Sequence, residues 1–439
     1  MKNWKSILIA VQIFGLLTGI IVNAQSTGYV KQVITVNSGR FEYNPPFNDY
    51  VTVQTYNPES GIVNSFNTIY TQSGQAIIAS GRIAFVAAQD SIVKYDLNSM
   101  QRLGAVRNSG LCQLALVNDR LVVSKQYPVV SHFVEVLDTA DMGVVAQISG
   151  ISGDCGGITI IADTVYVAVN EGWMGTNGKF AIIDPSNWTL KAELDFGTDA
   201  VGIFNLYNYN GKIVSVNKTP YGVTNIGSVT IYNPSDRSFN NVLLSHIIGT
   251  GAGIKDSLLY MIMDYGIGSF NLNTLSVEDP VIIDDPGSSV FRYITSSVID
   301  TTDNRIYANI GDYINPGTCL VTSLNGDSIT TFPTGISSEA IAIDYRSDPT
   351  GIPGKDSKAL TLKVFPNPVM DVLNIAISNN HEIGRLFIVN STGRMVAAID
   401  DIGPSVKNLR IPFKNMASGL YYLILESSGT RSTASVIKQ

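Results

Sequence analysis

Apolar and polar residues alternate along most of this chain in short runs, and the runs are bounded by turn residues. "RLVVSK", "TVYVAV", "KIVSVN", "LLYMIM" and "RIYANI" each follow a polar turn, and none extends into a helical period sustained over three turns. Such runs predict strands. A second class of apolar run ends on Asp or Asn and then turns: Asn57, Asp96, Asp138, Asp184, Asn233 and Asn271, spaced 39, 42, 46, 49 and 38 residues apart. Ser323 in "VTSLNG" follows 52 residues later as a weaker seventh stop. Glycines keep the same beat. Gly110, Gly153, Gly197, Gly249, Gly287 and Gly335 each lead a small-residue loop into an apolar strand.

Four period-two runs per unit, recurring every ~40–45 residues, predict a β-propeller. Each unit reads as an inner strand, a second strand, a third strand stopped by Asp/Asn, and an outer strand. The second strands begin near residues 33, 82, 120, 164, 212, 258 and 305, which predicts seven blades. The first blade lacks an inner strand before residue 33, whereas "EAIAIDYR" (Glu339–Arg346) has that pattern with no blade after it. Pairing it with "VITVN" would close the ring and protect two edges at once. The Asp and Asn stops themselves are expected to form Asx turns between third and outer strands.

The repeat, clearest in "TVYVAV…FAIIDPSNWTLKAELDFG", resembles the YncE-like seven-bladed propellers with YVTN repeats. Its opening, "VITVNSGRFEYNPPFNDYVTVQTYNPESG", is similar to the start of the BtuG-type surface propellers of Bacteroidetes. That resemblance covers about residues 33–346. It implies a cobalamin-like corrinoid as ligand and an outer-membrane TonB-dependent receptor as partner. The chain departs from that branch in having no lipoprotein cysteine and in its irregular sixth and seventh blades.

The long connections lie between second and third strands: "NSGRFEYNPPFNDY", "SKQYPVVSHF", "NEGWMGTNGKF", "NKTPYGVTNIGS" and "NIGDYINPGT". Strand alternation puts them on one face, together with the glycine-led loops. Long loops on a rigid scaffold mark the expected binding face. Its candidate ligand-binding residues are Tyr43, Phe47, Tyr127, Trp173, Tyr221, Tyr265, Phe291, Arg292 and Tyr313, with Phe41 and Tyr50 nearby. Rigid rings among Asn and Gly suit a large ligand with flat apolar surfaces and polar edges. A corrinoid or a glycan fits that description. The alternatives are a surface platform for adhesion, protein or glycan contact, and a lyase assembled from the loops.

Composition narrows the choice. Residues 25–358 hold 19 Lys/Arg against 31 Asp/Glu, so a nucleic-acid partner is not expected. "GTGAG" (Gly249–Gly253) lacks the spacing and the helix of a dinucleotide loop, and His132, His246 and His381 have no metal-ligand spacing. No catalytic residue, metal or cofactor is therefore expected, and the protein is read as a binder and not an enzyme. Cys112 and Cys155 follow loop glycines by two residues in consecutive blades, which makes a disulfide between them the expectation for a secreted protein. Cys319 is left over.

Both ends of the chain carry addresses. Lys2 and Lys5 precede an apolar core, Ile7–Ile21, with Val22 and Ala24 at cleavage positions, so residues 1–24 read as a secretory signal. The core is shorter than the ~20 residues of a membrane span. After the propeller (25–346), residues 347–358 read as a Pro/Gly-rich linker. Residues 359–439 then show "VLNIAI", "GRLFIVN", "GRMVAAI", "KNLRIPF" and "GLYYLILES", the pattern of a small β-sandwich. The segments "KVFPNPVMDVLNIAI", "VNSTGRMV" and "MASGLYYLIL…VIKQ" resemble the C-terminal sorting domain of type IX secretion substrates. The matching positions are Pro366, Asn367, Pro368, Gly393, Gly419 and Tyr421. This likeness implies export to the cell surface or beyond, with the type IX machinery as partner.

Overall fold

The computed structural model describes residues 28–347, apart from 43, 45–46, 130, 173–174 and 224. It also describes 361–439, apart from 379–384, 392–393, 401, 404–405, 407 and 428–429. The signal segment, linker residues 348–358, Tyr43, Trp173 and Gly393 thus lie outside the described residues. The chain divides at Arg346 into two compact units.

Seven four-stranded sheets form the first unit, a seven-bladed β-propeller. The second strands are Gly28–Asn37, Ile83–Ala88, Arg120–Lys125, Thr164–Val169, Lys212–Asn217, Leu258–Met263 and Arg305–Gly311. The sequence locates their starts to within a residue or two except in blade one, where the strand begins five residues earlier. Blade four shows why these strands are apolar at nearly every position. Val165, Val167 and Val169 pack with Val122, Val134 and Val136 of blade three. Tyr166 and Ala168, on the opposite face, pack with Ile203, Leu206 and Ile213 of blade five. Each sheet is sandwiched between two others, so both of its faces are core. Full burial of each such side chain contributes roughly 1.5–3 kcal/mol.

The Asp/Asn stops act as turns. Asp96 Oδ1 accepts the Asn98 and Ser99 amides at 2.9 and 3.0 Å, and Asn233 Oδ1 accepts the Ser235 amide at 3.1 Å. Asn57, Asp138, Asp184 and Asn271 make the same bonds. Ser323 Oγ serves the weaker seventh turn by accepting the Asn325 amide at 3.2 Å.

Ring closure falls to the last strand, Ser338–Ser347, which is the innermost of blade one and lies beside Gly28–Asn37. Side chains fasten it. Gln32 Nε2 donates to Asp344 Oδ2 at 2.9 Å, and Arg346 makes two bonds to Asp344 and a third, of 2.9 Å, to Asn98 in blade two.

The tail is a β-sandwich of a three-stranded sheet (Thr361–Phe365, Val372–Ser378, Asn408–Pro412) and a four-stranded sheet. Leu373, Ile375 and Ile377 of the first pack against Leu386, Leu423, Leu425 and Val436 of the second. The strands Thr361–Phe365 and Thr430–Lys438 add to the five expected from sequence. "TRSTASVIK" shows little apolar alternation, yet it pairs along its whole length with Gly419–Ser427. Of the expected motif residues, Asn367 fastens that last strand: its Nδ2 donates to the Ser435 carbonyl at 3.0 Å and its Oδ1 accepts the Ile437 amide at 2.9 Å. Pro366 and Pro368 flank it, both on cis bonds. Tyr421 packs edge-on to Phe413, its hydroxyl donating to the Ala417 carbonyl at 2.8 Å. Gly419 adopts φ +153 at the start of its strand.

Candidate functional site

The long-loop face is built by one recurring bond. In six of the seven blades the residue just after the second strand donates its amide to a carbonyl at the start of the same blade's inner strand. Ser38 bonds Ser337, Gln89 bonds Ser73, Gln126 bonds Gly110, Asn170 bonds Asp154, Lys218 bonds Gly202 and Asp264 bonds Ile247, all at 2.7–2.9 Å. These residues are a polar collar around the mouth of the ring. Gly110 and Gly202 are held at φ +69 and +77, and a Cβ there would strike the carbonyls of Gln126 and Lys218 at 2.4 and 2.2 Å. Glycine is required for both reasons.

Between blades three and five the collar opens into a cavity of about 630 Å³. Gln126, Asn170 and Lys218 contribute to its wall, with Asp154 from the loop entering blade four and Phe204 from the inner strand of blade five. Tyr127 and Tyr221 stand on its rim, 80% and 85% exposed.

Charge in the cavity is unevenly compensated. The Lys218 ammonium lies 3.5 Å from the centroid of the Phe204 ring, a close cation–π contact. Burial pulls its pKa below the usual lysine value. Burial pushes the Asp154 carboxyl upward, partly offset by the Tyr127 amide that donates to it. Cys112 lies near enough to Lys218 for their charges to couple, but burial raises its thiol to about 12, so it remains neutral.

The expected ligand-binding residues do not converge on one spot. Tyr127 and Tyr221 share the cavity, and Gly172 and Gly175, which bracket Trp173, also line it. Tyr265 and Tyr313 belong to a separate aromatic row on blades six and seven, with Tyr293 between them at 6.1 and 6.3 Å. Phe291 (73% exposed) and Arg292 project from the loop led by Gly287. Phe47 is half-buried, its carbonyl accepting the Tyr50 hydroxyl at 3.0 Å, and Phe41 is exposed.

Two corrections concern chemistry. Cys112 and Cys155 are free, buried thiols and not the expected bridge. Cys155 Sγ turns to the Gly153 carbonyl of its own loop, at 3.5 Å, and Cys112 bonds Ser124 of its own blade. Each thiol is thus satisfied within its blade. Secondly, His246 Nδ1 lies 2.6 Å from Asp264 Oδ2, a histidine–carboxylate pair absent from the sequence reading. The loop entering blade six and the end of its second strand bring the two together.

A second groove, of about 530 Å³, lies on the opposite face between blades five and six. It is lined by turn residues such as Asn210 and Asn233 and by Phe239 at the start of an outer strand, and the long loops do not reach it.

Comparison with known proteins bears on the tail first. Residues 363–439 match the family of secretion system C-terminal sorting domains. The protein is a type IX secretion substrate, delivered to the cell surface or the extracellular space. No curated protein matches the chain. Among solved structures, a functionally unknown protein from Desulfotomaculum acetoxidans is 12% identical, with a TM-score of 0.51 over 72% of this chain and 99% of that one. Hydrazine synthase of Kuenenia stuttgartiensis is also 12% identical (TM-score 0.48, 73% of this chain and 100% of that chain). The extracellular domain of a hybrid two-component system from B. thetaiotaomicron is 12% identical as well (TM-score 0.47, 92% and 57%). For the Desulfotomaculum acetoxidans protein, at that identity, the likeness is one of fold.

Proposed function

We propose that the propeller is a surface receptor that captures a large amphipathic small molecule on its long-loop face and does not transform it. A cobalamin-like corrinoid is the leading candidate, and a TonB-dependent receptor in the outer membrane is the partner that would take it onward. The observation that carries this reading is the cavity over blades three to five, rimmed by the exposed rings of Tyr127 and Tyr221. A corrinoid offers a flat macrocycle to the rings and an amide-bearing edge to Gln126 and Asn170. The sorting tail supports it by placing the propeller outside the cell, where scavenging takes place. The His246–Asp264 pair does not argue for catalysis, since neither residue lines the cavity.

Calorimetry of the mature full-length protein against cobalamin and a panel of glycans tests the proposal. Tyr127→Ala, Tyr221→Ala and Trp173→Ala should each weaken binding by ~2 kcal/mol, about 30-fold, as aromatic hot spots do. Normal binding by all three variants, with loss of binding in Phe239→Ala on the opposite face, would place the site in the other groove.

A further inference from the structure

Other lysines partly withdrawn from solvent in this propeller have oxygen partners: Lys94 and Lys255 donate to backbone carbonyls, and two more meet carboxylates. Lys125 lies 3.0 Å from Glu135, and Lys179 pairs with Glu171. Lys218 differs. Among the described residues its ammonium group has no ion-pair or hydrogen-bond partner, only the face of Phe204. The amide beneath it is pinned to Gly202 at 2.8 Å, so the side chain starts from a fixed point on the cavity wall. At the equivalent collar position, blades two, three and four carry the neutral amides Gln89, Gln126 and Asn170. Neutral residues satisfy the architecture there, so the fold does not require a cation at this point of the ring. Lys218 is half-buried, and a partly desolvated cation without a counter-charge is costly unless something pairs with it.

We infer that Lys218 is the seat for an anionic group, a carboxylate or a phosphate, carried by the captured ligand. The inference rests on the capture reading and adds a charge to it. Asp154 cannot fill the role from within: no ion pair joins it to Lys218, its carboxyl lies against Gly172, and it accepts the Tyr127 amide. Cys112, held as a thiol, offers no negative charge either. The aromatic rim would hold the ligand's body while the ammonium selects its charged end, an arrangement in which a hydrogen bond to a charged donor supplies specificity.

The test uses three probes of nearly the same shape on the mature full-length protein: benzamide, benzoate and phenyl phosphate. Wild type should bind one of the anions at least tenfold more tightly than benzamide, and the preferred anion identifies carboxylate or phosphate as the natural group. Lys218→Gln and Lys218→Met should erase that preference, so that both anions and benzamide bind alike. Lys218→Arg, which keeps the charge, should retain it and controls for folding. Equal binding of all three probes by wild type, or a preference that survives in Lys218→Gln, overturns the inference. If the preference is absent but benzamide binding is still lost in Tyr127→Ala and Tyr221→Ala, the anion seat fails and the capture site stands. Absence of any probe binding to wild type overturns the seat outright.

Discussion

Replacing Asp344 by Ala should destabilise the whole ring, although the residue sits on a single strand at its seam. Asp344 is 1% exposed and accepts from two donors, Gln32 Nε2 at 2.9 Å and the Arg346 guanidinium, whose Nη2 bond is 2.8 Å. Removing one partner of a buried pair costs ~3–5 kcal/mol because the other charge is left behind. Arg346 keeps its bond to Asn98, and Gln32 keeps a 3.3 Å bond to the Leu97 carbonyl, which places the cost at the lower end, about 3 kcal/mol. Asp344→Asn retains an acceptor for Gln32 and loses only the ionic part, about half as much. Urea unfolding followed by tryptophan emission reads the effect cleanly. Trp173 and Trp188 both belong to blade four, and residues 359–439 contain no tryptophan. A signal from blade four therefore reports whether damage at blade one reaches around the ring. A shift under ~0.5 kcal/mol for Asp344→Ala would refute the idea that this clasp stabilises the ring as a unit.

Two further outcomes follow from particular groups. Cys112, Cys155 and Cys319 are all buried, with their thiols raised by burial, so none should react with a maleimide in the native protein. All three should react in urea without reductant; a 112–155 disulfide peptide in unreduced mass spectra would contradict the structure. Asp184 is held down to about 2 by Ser186 and Lys191. Its folded-state pKa lies below the ordinary aspartate value, so it adds stability above ~4 that is lost as pH falls towards 2. Asp184→Asn should keep the turn, as Asn233 and Asn271 do, and flatten the acid-unfolding profile in that window. An unchanged profile would show that the carboxylate's bonds contribute nothing.

The seven blades were legible because each repeats the same punctuation. An Asp or Asn accepting the amide two residues on leaves the same mark in six of the seven units, and a strand buried on both faces reads as a continuous apolar run. The closing strand was legible by subtraction, as a strand pattern with no blade of its own. The cavity was not. Phe204, Asp154 and Lys218 come from separate segments of blades four and five, and no local spacing announces that they meet. A signal did exist at the residue after each second strand, where the chain shows Ser38, Gln89, Gln126, Asn170, Lys218, Asp264 and Asp312. Aligning blades on their second strands singles out one cation among neutral and acidic residues. His246 and Asp264, 18 residues apart, are joined by the same collar geometry and could have been found by the same alignment. The cysteines show the limit of positional equivalence. Matching positions in neighbouring blades were identified correctly, but each thiol turned to a partner in its own blade.

The strand Ser338–Ser347 completes a blade begun three hundred residues earlier, and the sorting domain begins shortly after it. Synthesis runs from one end, so blade one waits with an open edge until every other blade has been made. A chain that ends before its closing strand also lacks the export address that lies downstream. Any chain that carries the address already contains every strand the ring needs. The gene order thus ties delivery to completeness: an unfinished propeller has no ticket to the surface, and no separate inspection step is needed to hold it back.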